Sequence, residues 1–332
     1  MKIFKPSYFD SFHCIAAQCP DSCCKEWEVE VDDDAATLYR GLEGPLGDRL
    51  REVLRDDPQW GTVMTIENGR CPMWRQDGLC RIQAELGHDA LCKTCRDFPR
   101  LCHDYGTFQE LGLELSCPEA ARLVLSASNA PYLLAEMPGG DAPDYDEESM
   151  SILLDTRAKA LDILQNPKWS VPQALTLLLY YGYHAQSLLD TVDVPEFCPD
   201  SLLEEAAELA LSGGEDDLIT FFTNLEILNP TWNERLVQSL SPTPWSEEYR
   251  NLARYFVERY WLQAVSDYDL VSRVKLAVVS CIAIRLLGGD LIQTAQTYSK
   301  EIENNTDNVE ALLDAAYTHP ALTDQRLLGM LQ

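Results

Sequence analysis

Long apolar runs are missing from this chain. No uninterrupted stretch approaches the roughly 20 residues that a helix needs to cross a bilayer. The opening stretch, "MKIFKPSYFDSFHC", starts basic but has no apolar core segment and no small-residue cleavage site, so a cytoplasmic protein with no membrane association is expected. Positive charge is scarce: 26 Lys and Arg stand against 54 Asp and Glu, for a formal net charge of −28, and most of that excess lies after Leu125. Such a surface repels phosphates and excludes a nucleic-acid partner. It draws in basic or Lys-rich partners, or it serves solubility alone. Histidine is rare, with five in the chain, so any metal site should be thiolate-rich. No strand, Gly-rich loop and helix in succession gives a Rossmann-like signal; Gly288-Gly289-Asp290 reads as a helix end. No fixed-length repeat is present either.

Cysteine is what the chain has in quantity. Ten of its twelve cysteines fall between Cys14 and Cys117. The spacings are Cys14-x4-Cys19-x3-Cys23-Cys24, then Cys71-x8-Cys80-x11-Cys92-x2-Cys95, then Cys102 and Cys117. In a reducing compartment clustered thiols bind metal or do redox chemistry more often than they form disulfides. Ligands from two or more chain segments can enclose an ion, as zinc or iron–sulfur sites require. Side chains next to each other on a helix or strand point apart, so Cys23 and Cys24 are not expected to ligate one small ion together. Cys198 and Cys281, in apolar or Pro-flanked settings, read as core or incidental thiols.

The pattern along the chain predicts a mainly α fold. An irregular, Cys-rich metal-cluster domain with short strands spans 1–128, a linker or exposed loop spans 129–150, and an α-helical bundle spans 151–332. In the first segment "EWEVEV" reads as a short strand, and "GTVMTIENGRCPMW" suggests a short strand and a turn at Asn68-Gly69. "DDDAATLYRGLE", "DRLREVLRDD" and "CPEAARLVLSAS" read as helices. The linker reading rests on three prolines, Gly139-Gly140 and an acid run. From Ser149 onward, apolar residues recur at three- and four-residue spacing in eight segments, among them "DDLITFFTNLEIL", "LARYFVERYWLQAV" and "LIQTAQTYSKEIE".

The segments "CIAAQCPDSCCKEWEVEVD", "CPMWRQDGLCRIQAELGHDALCKTCRDFPR" and "LELSCPEAARLVL" resemble the flagellin lysine N-methylase (FliB-like) family, within a broader group of zinc- or iron-chelating Cys-cluster proteins. "LARYFVERYWLQAV" and "VKLAVVSCIAIRLL" resemble its C-terminal region more loosely. The resemblance implies methyl transfer from S-adenosylmethionine to lysine side chains of flagellin. It also implies a 4Fe–4S cluster, with Cys14, Cys19, Cys23, Cys24, Cys71, Cys80, Cys92, Cys95 and Cys117 as candidate ligands. Cys102 does not belong to the pattern. Zinc is the alternative metal, and a non-catalytic metal-chelating accessory protein is the alternative function. Cys19-x3-Cys23 echoes part of a radical-type Cys-x3-Cys-x2-Cys motif, but its third position holds Glu26.

The chemistry adds requirements of its own. A lysine ammonium has no lone pair, so the site must favour the neutral amine or supply a base. Aromatic faces or carboxylates would hold the sulfonium donor. Tyr183 and Tyr260 are speculative base or cation-binding candidates. Arg96 and Arg100 are candidates for a carboxylate or for cluster charge.

Overall fold

The computed structural model describes residues 1–25, 27–127, 132–136 and 139–332. The fold is mainly helical. In chain order the first part holds β1 (Lys2–Pro6), β2 (Val29–Glu30), α1 (Asp33–Gly41), α2 (Gly44–Val53), β3 (Leu54–Asp57), β4 (Gly61–Met64), α3 (Arg81–Leu86), α4 (Lys93–Asp97), β5 (Arg100–Asp104), β6 (Phe108–Leu113), α5 (Pro118–Ser126) and β7 (Tyr132–Glu136). The second part holds α6 (Glu147–Gln165), α7 (Val171–Leu189), α8 (Pro199–Leu209), α9 (Glu215–Thr223), α10 (Pro230–Leu236), α11 (Glu248–Tyr260), α12 (Leu270–Leu287), α13 (Leu291–Tyr298), a π-helical turn (Ser299–Glu303), α14 (Thr306–Thr318) and α15 (Asp324–Met330). Among the described residues no helix is long and apolar enough to cross a membrane.

Local chemistry explains many of the boundaries. The Asp32 carboxylate accepts from Ala35 N at 3.0 Å and starts α1. Ser170 and Gln173 close a reciprocal capping box on α7. Asn68 and Gly69 both have positive φ, 51° and 72°, and Glu67 and Arg70 exchange backbone hydrogen bonds across them, as in a type I′ turn.

β2, β4 and β3 form a small antiparallel sheet. It packs with α1 and α2 around Tyr39, Leu50, Met64 and Met73. A second sheet has the order β5-β6-β1-β7, with β1 parallel to β6. This sheet shares one apolar core with the helices, running from Tyr8 and Phe12 through Ala120 and Val124 to Leu331.

Several expectations change. "DRLREVLRDD" is helical only to Val53; Leu54–Asp57 peels away because it pairs with Gly61–Met64. The strand in "EWEVEV" shortens to Val29–Glu30, and Glu26 lies outside the described residues. The 129–150 segment contains β7, which pairs along all of β1 from Lys2↔Glu136 to Pro6↔Tyr132, and α6 already begins at Glu147. Residues 129–131 and 137–138 lie outside the described residues. The apolar core crosses position 128 without a break, because the strands and α5 cover the bundle. The helix expected over "DDLITFFTNLEIL" ends at Thr223, because tertiary acceptors claim the following amides: Glu226 N donates to Asn308 Oδ1 at 2.9 Å and Leu228 N to Glu301 Oε2 at 3.0 Å.

Candidate functional site

The small sheet presents five thiols to one apolar interior. Cys71 and Cys92 are buried there, with Cys24, Cys80 and Cys95 packed against the same residues. Cys80 and Cys92 stand at the starts of α3 and α4, and Cys95 lies one turn into α4. Lys93 N donates to Asp32 Oδ2 at 2.6 Å, which ties α4 to α1. Cys71 N donates to Cys24 O at 2.8 Å, which brings the vicinal cysteines to the hairpin.

Neighbouring thiols lie close enough to shift one another's titration, Cys23 with Cys24, Cys24 with Cys71, and Cys92 with Cys95, and Cys71 Sγ stands 3.4 Å from Met64 Sδ. The contact with Cys95 holds the Cys92 thiol below its ordinary range, and the same contact raises Cys95. Cys23 and Cys24 sit in a bend, not on a helix or strand, so adjacency does not turn their thiols apart as expected. Cys14, Cys19 and Cys117 form a second group. Burial pushes Cys117 up to about 11, with Cys19 and Cys14 close enough to add to the shift.

As a donor set, the five thiols suit a thiolate-bound metal or cluster: they come from separate chain segments, with no carboxylate or imidazole among them. Among the described residues, however, no three His, Cys, Asp or Glu side chains stand at the spacing that holds an ion.

The vicinal-cysteine segment is clamped to the helical half through Asp21. Its carboxylate meets Lys25 Nζ and Lys300 Nζ, each at 2.7 Å, and Gln296 Nε2 at 2.8 Å. Burial works against the Asp21 charge, but the hydrogen bonds from Lys25 and Lys300 outweigh it and hold the pKa down to about 2. Beside this clamp lies a cavity of about 420 Å³. Cys23, Trp27, Phe98, Arg100 and Glu114 line it from the first part of the chain, and Leu228, Glu301 and Glu303 from the helical half.

The turn Ser299–Glu303 shapes the helical wall. Its π geometry, a form often found at functional sites, directs three charged side chains to different partners. Lys300 reaches Asp21, Glu301 takes the amides of Leu228 and Asn229, and Glu303 turns toward α11. Glu303 Oε1 accepts from Tyr255 Oη and Tyr260 Oη, both at 3.0 Å, and Arg259 Nη1 lies 3.3 Å away. Arg259 also faces Glu114 at 3.7 Å. Burial raises the titration of both tyrosines well above the usual range, so their hydroxyls stay protonated donors.

Comparison with curated proteins places the chain. It is 30% identical over 134 residues to the flagellar biosynthetic protein FliU of Salmonella muenchen, covering 39% of this chain and 79% of that protein. It is 26% identical over 194 residues to the lysine-N-methylases of Salmonella choleraesuis (strain SC-B67) and Salmonella typhimurium, covering 55% of this chain and 47% of each. The chain belongs to the FliB-like lysine N-methylase family. It spans about half the length of the lysine-N-methylases it matches. No protein-family profile and no solved structure matches it.

In this FliB-like chain the residues singled out from sequence scatter unevenly around the cavity. Cys23 and Arg100 line it, and Arg100 holds its guanidinium carbon 5.0 Å from the Phe12 ring centroid. Tyr260 stands behind it, through Glu303. Arg96 is not among its lining residues and lies 3.9 Å from Asp97. Tyr183 is on another face, its exposed hydroxyl 2.8 Å from Asp324. Cys102 is exposed on β5, Cys198 is exposed before α8, and Cys281 is fully buried in α12. Asp21, Glu114, Arg259 and Glu303 are not among the sequence candidates. For Arg259 and Glu303 the one signal is charge within an apolar-periodic segment: Arg259 stands four residues after Tyr255, and Glu303 follows Ile302; Asp21 and Glu114 carry none.

Proposed function

We propose that this chain N-methylates lysine side chains of flagellin, with S-adenosylmethionine as donor, and that its thiol lobe holds a 4Fe–4S cluster. The observation that carries the reading is the cavity of about 420 Å³ where the thiol lobe, two aromatic side chains and buried carboxylates meet. Its volume falls within the roughly 300–1,000 Å³ of small-molecule sites. The names of the relatives, lysine-N-methylase and flagellar biosynthetic protein, support the reaction and the substrate.

S-adenosylmethionine supplies an electrophilic methyl group on a sulfonium. The faces of Trp27 and Phe98 suit that cation, and Arg100 suits its carboxylate. The amine lone pair forms the new N–C bond, the S–CH3 bond breaks, and its electron pair stays on sulfur as a thioether. The proton leaves the amine before or as this happens. Free lysine titrates near 10.4, so desolvation in the cavity, which disfavours the ammonium, works toward the nucleophilic form. The enclosing walls also hold the amine in line with the breaking bond. Four of Cys23, Cys24, Cys71, Cys80, Cys92 and Cys95 would hold the cluster, which supplies an iron centre for substrate anchoring or one-electron chemistry.

Co-expression with flagellin, read by intact-mass analysis, tests the reaction. Methyl increments on lysine are expected. Their absence from well-expressed flagellin sinks the reading and favours the metal-binding accessory alternative. Anaerobic purification tests the cluster: broad absorption near about 400 nm with matching iron and sulfide is expected, and a colourless protein carrying zinc overturns it. Cys23→Ser and Cys95→Ser should lose metal and methylation together.

A further inference from the structure

We infer that Glu303 receives the ammonium of the substrate lysine at the helical end of this cavity; the inference rests on the lysine-methylation reading above. Three observations support it. The first is acceptor capacity. Glu303 Oε1 is taken by Tyr255, Tyr260 and Arg259, whereas Oε2 has a share of the Tyr255 hydroxyl at 3.1 Å. A carboxylate oxygen accepts two hydrogen bonds, so Oε2 keeps room for another donor.

The second is charge. Arg259 faces two carboxylates, buried Glu303 and partly buried Glu114, and neutralises one equivalent. The other cations on the cavity wall have contacts elsewhere: Lys25 and Lys300 with Asp21, and Arg100 over Phe12. A buried carboxylate in excess is costly unless a proton or a cation joins it; burial raises the Glu114 carboxyl toward its protonated form, and Glu303, which shows two tyrosine donors and Arg259, is the one placed to take a cation.

The third is Ser116. It is 1% exposed and lines the cavity, and its hydroxyl leans on Glu114 as a near polar neighbour, with no well-formed hydrogen bond. A buried hydroxyl so weakly held has capacity for a second partner.

An ammonium, with three N–H donors, satisfies all three observations. A sulfonium has no hydrogen to donate, so the donor's charge belongs at the aromatic wall instead. Phe98 and Leu228 supply apolar surface for the lysine stem. Tyr255 and Tyr260 act as positioning residues: they fix the Glu303 carboxylate from behind and do not touch the amine.

The test uses the full chain, purified with whatever metal it carries. Calorimetric titration compares N-acetyl-lysine methylamide with its norleucine analogue, which has the stem but no charge. The wild-type chain should bind the lysine probe about tenfold or more tightly than the norleucine probe, and Glu303→Gln should erase that difference. Glu303→Asp, with the charge drawn back by one methylene, should fall between. Equal binding of the two probes by the wild-type chain overturns the proposal even if the variants fail to fold. So does an undiminished preference in a folded Glu303→Gln. The same samples are assayed for methyl transfer. Amine preference without methylation leaves the ammonium site standing and sinks the methylase reading. Methylation by Glu303→Gln with wild-type KM sinks the ammonium site alone.

Discussion

Glu258 shows what a single buried charge does in this molecule. Burial pushes its carboxyl up to about 7, against the pull of Arg254 and Arg157, from an ordinary 4.5. The folded state therefore holds the Glu258 proton more tightly than the unfolded chain does. Stability should fall as pH rises from about 4.5 to about 7, where the native group must ionise in place. Glu258→Gln should flatten that part of the pH profile and gain stability at pH 8 relative to the parent, read from denaturant midpoints at fixed pH values. A dependence unchanged in the variant would assign it elsewhere. The thiols make a related point. Of the nine cysteines that the family resemblance marks as candidate ligands, the structure gathers Cys24, Cys71, Cys80, Cys92 and Cys95 around one apolar interior. Glu303 escaped notice because a carboxylate in "SKEIE" looks like any solvated helix charge until its 8% exposure is known.

Among the elements, the α7–α12 crossing is set by one glycine. A Cβ at Gly182 would lie 2.8–2.9 Å from the side-chain carbons of Val274. Alanine gains up to about 1 kcal/mol in helix propensity, but overpacking costs about 1–3 kcal/mol. Gly182→Ala should therefore lower stability, and adding Val274→Ala should restore part of the loss, a coupling that a double-mutant cycle measures. α11 breaks the usual link between burial and apolarity. Arg254 and Glu258 pair with each other along the helix at 3.8 Å, and Arg259 meets Glu114 and Glu303 on neighbouring segments. The same mixing hid β6, where Glu110 occupies a buried position and holds Arg157 through two hydrogen bonds of 2.5 and 2.7 Å. Helices with ordinary caps and apolar stripes, such as α6 and α7, were legible. Segments whose backbone groups are claimed from far away, such as the end of α9, were not.

At the scale of the whole molecule the decisive fact is that the larger core is built from both ends of the first 127 residues and the entire helical half. α5 lies on α11, where Asn251 Nδ2 donates to Leu125 O at 2.7 Å and Arg254 Nη1 to Ala127 O at 2.8 Å. A fragment of residues 139–332 would expose the apolar faces that meet Ala120, Ala121, Val124 and Leu125, and would leave those arginine donors unpaired. That fragment should show no cooperative thermal transition by circular dichroism; a sharp one would mean that the bundle folds alone. Docking of the thiol lobe through Asp21 gives the cavity two walls from distant parts of the chain, which is how a thiol-rich loop and a helical turn come to share one site.

The sequence alone determined composition-level and local properties: the helical character, the caps, the Asn68-Gly69 turn, the acidic surface and the crowding of cysteine into the first 117 residues. Each depends on residue type and short spacing, which one-dimensional order records. The tertiary structure decided which charges are buried, where helices stop short, how β7 completes a sheet with β1, and that Glu303 and Cys23 face the same cavity. Those outcomes depend on residues hundreds of positions apart competing for the same hydrogen bonds and the same apolar volume, and no local pattern carries that information.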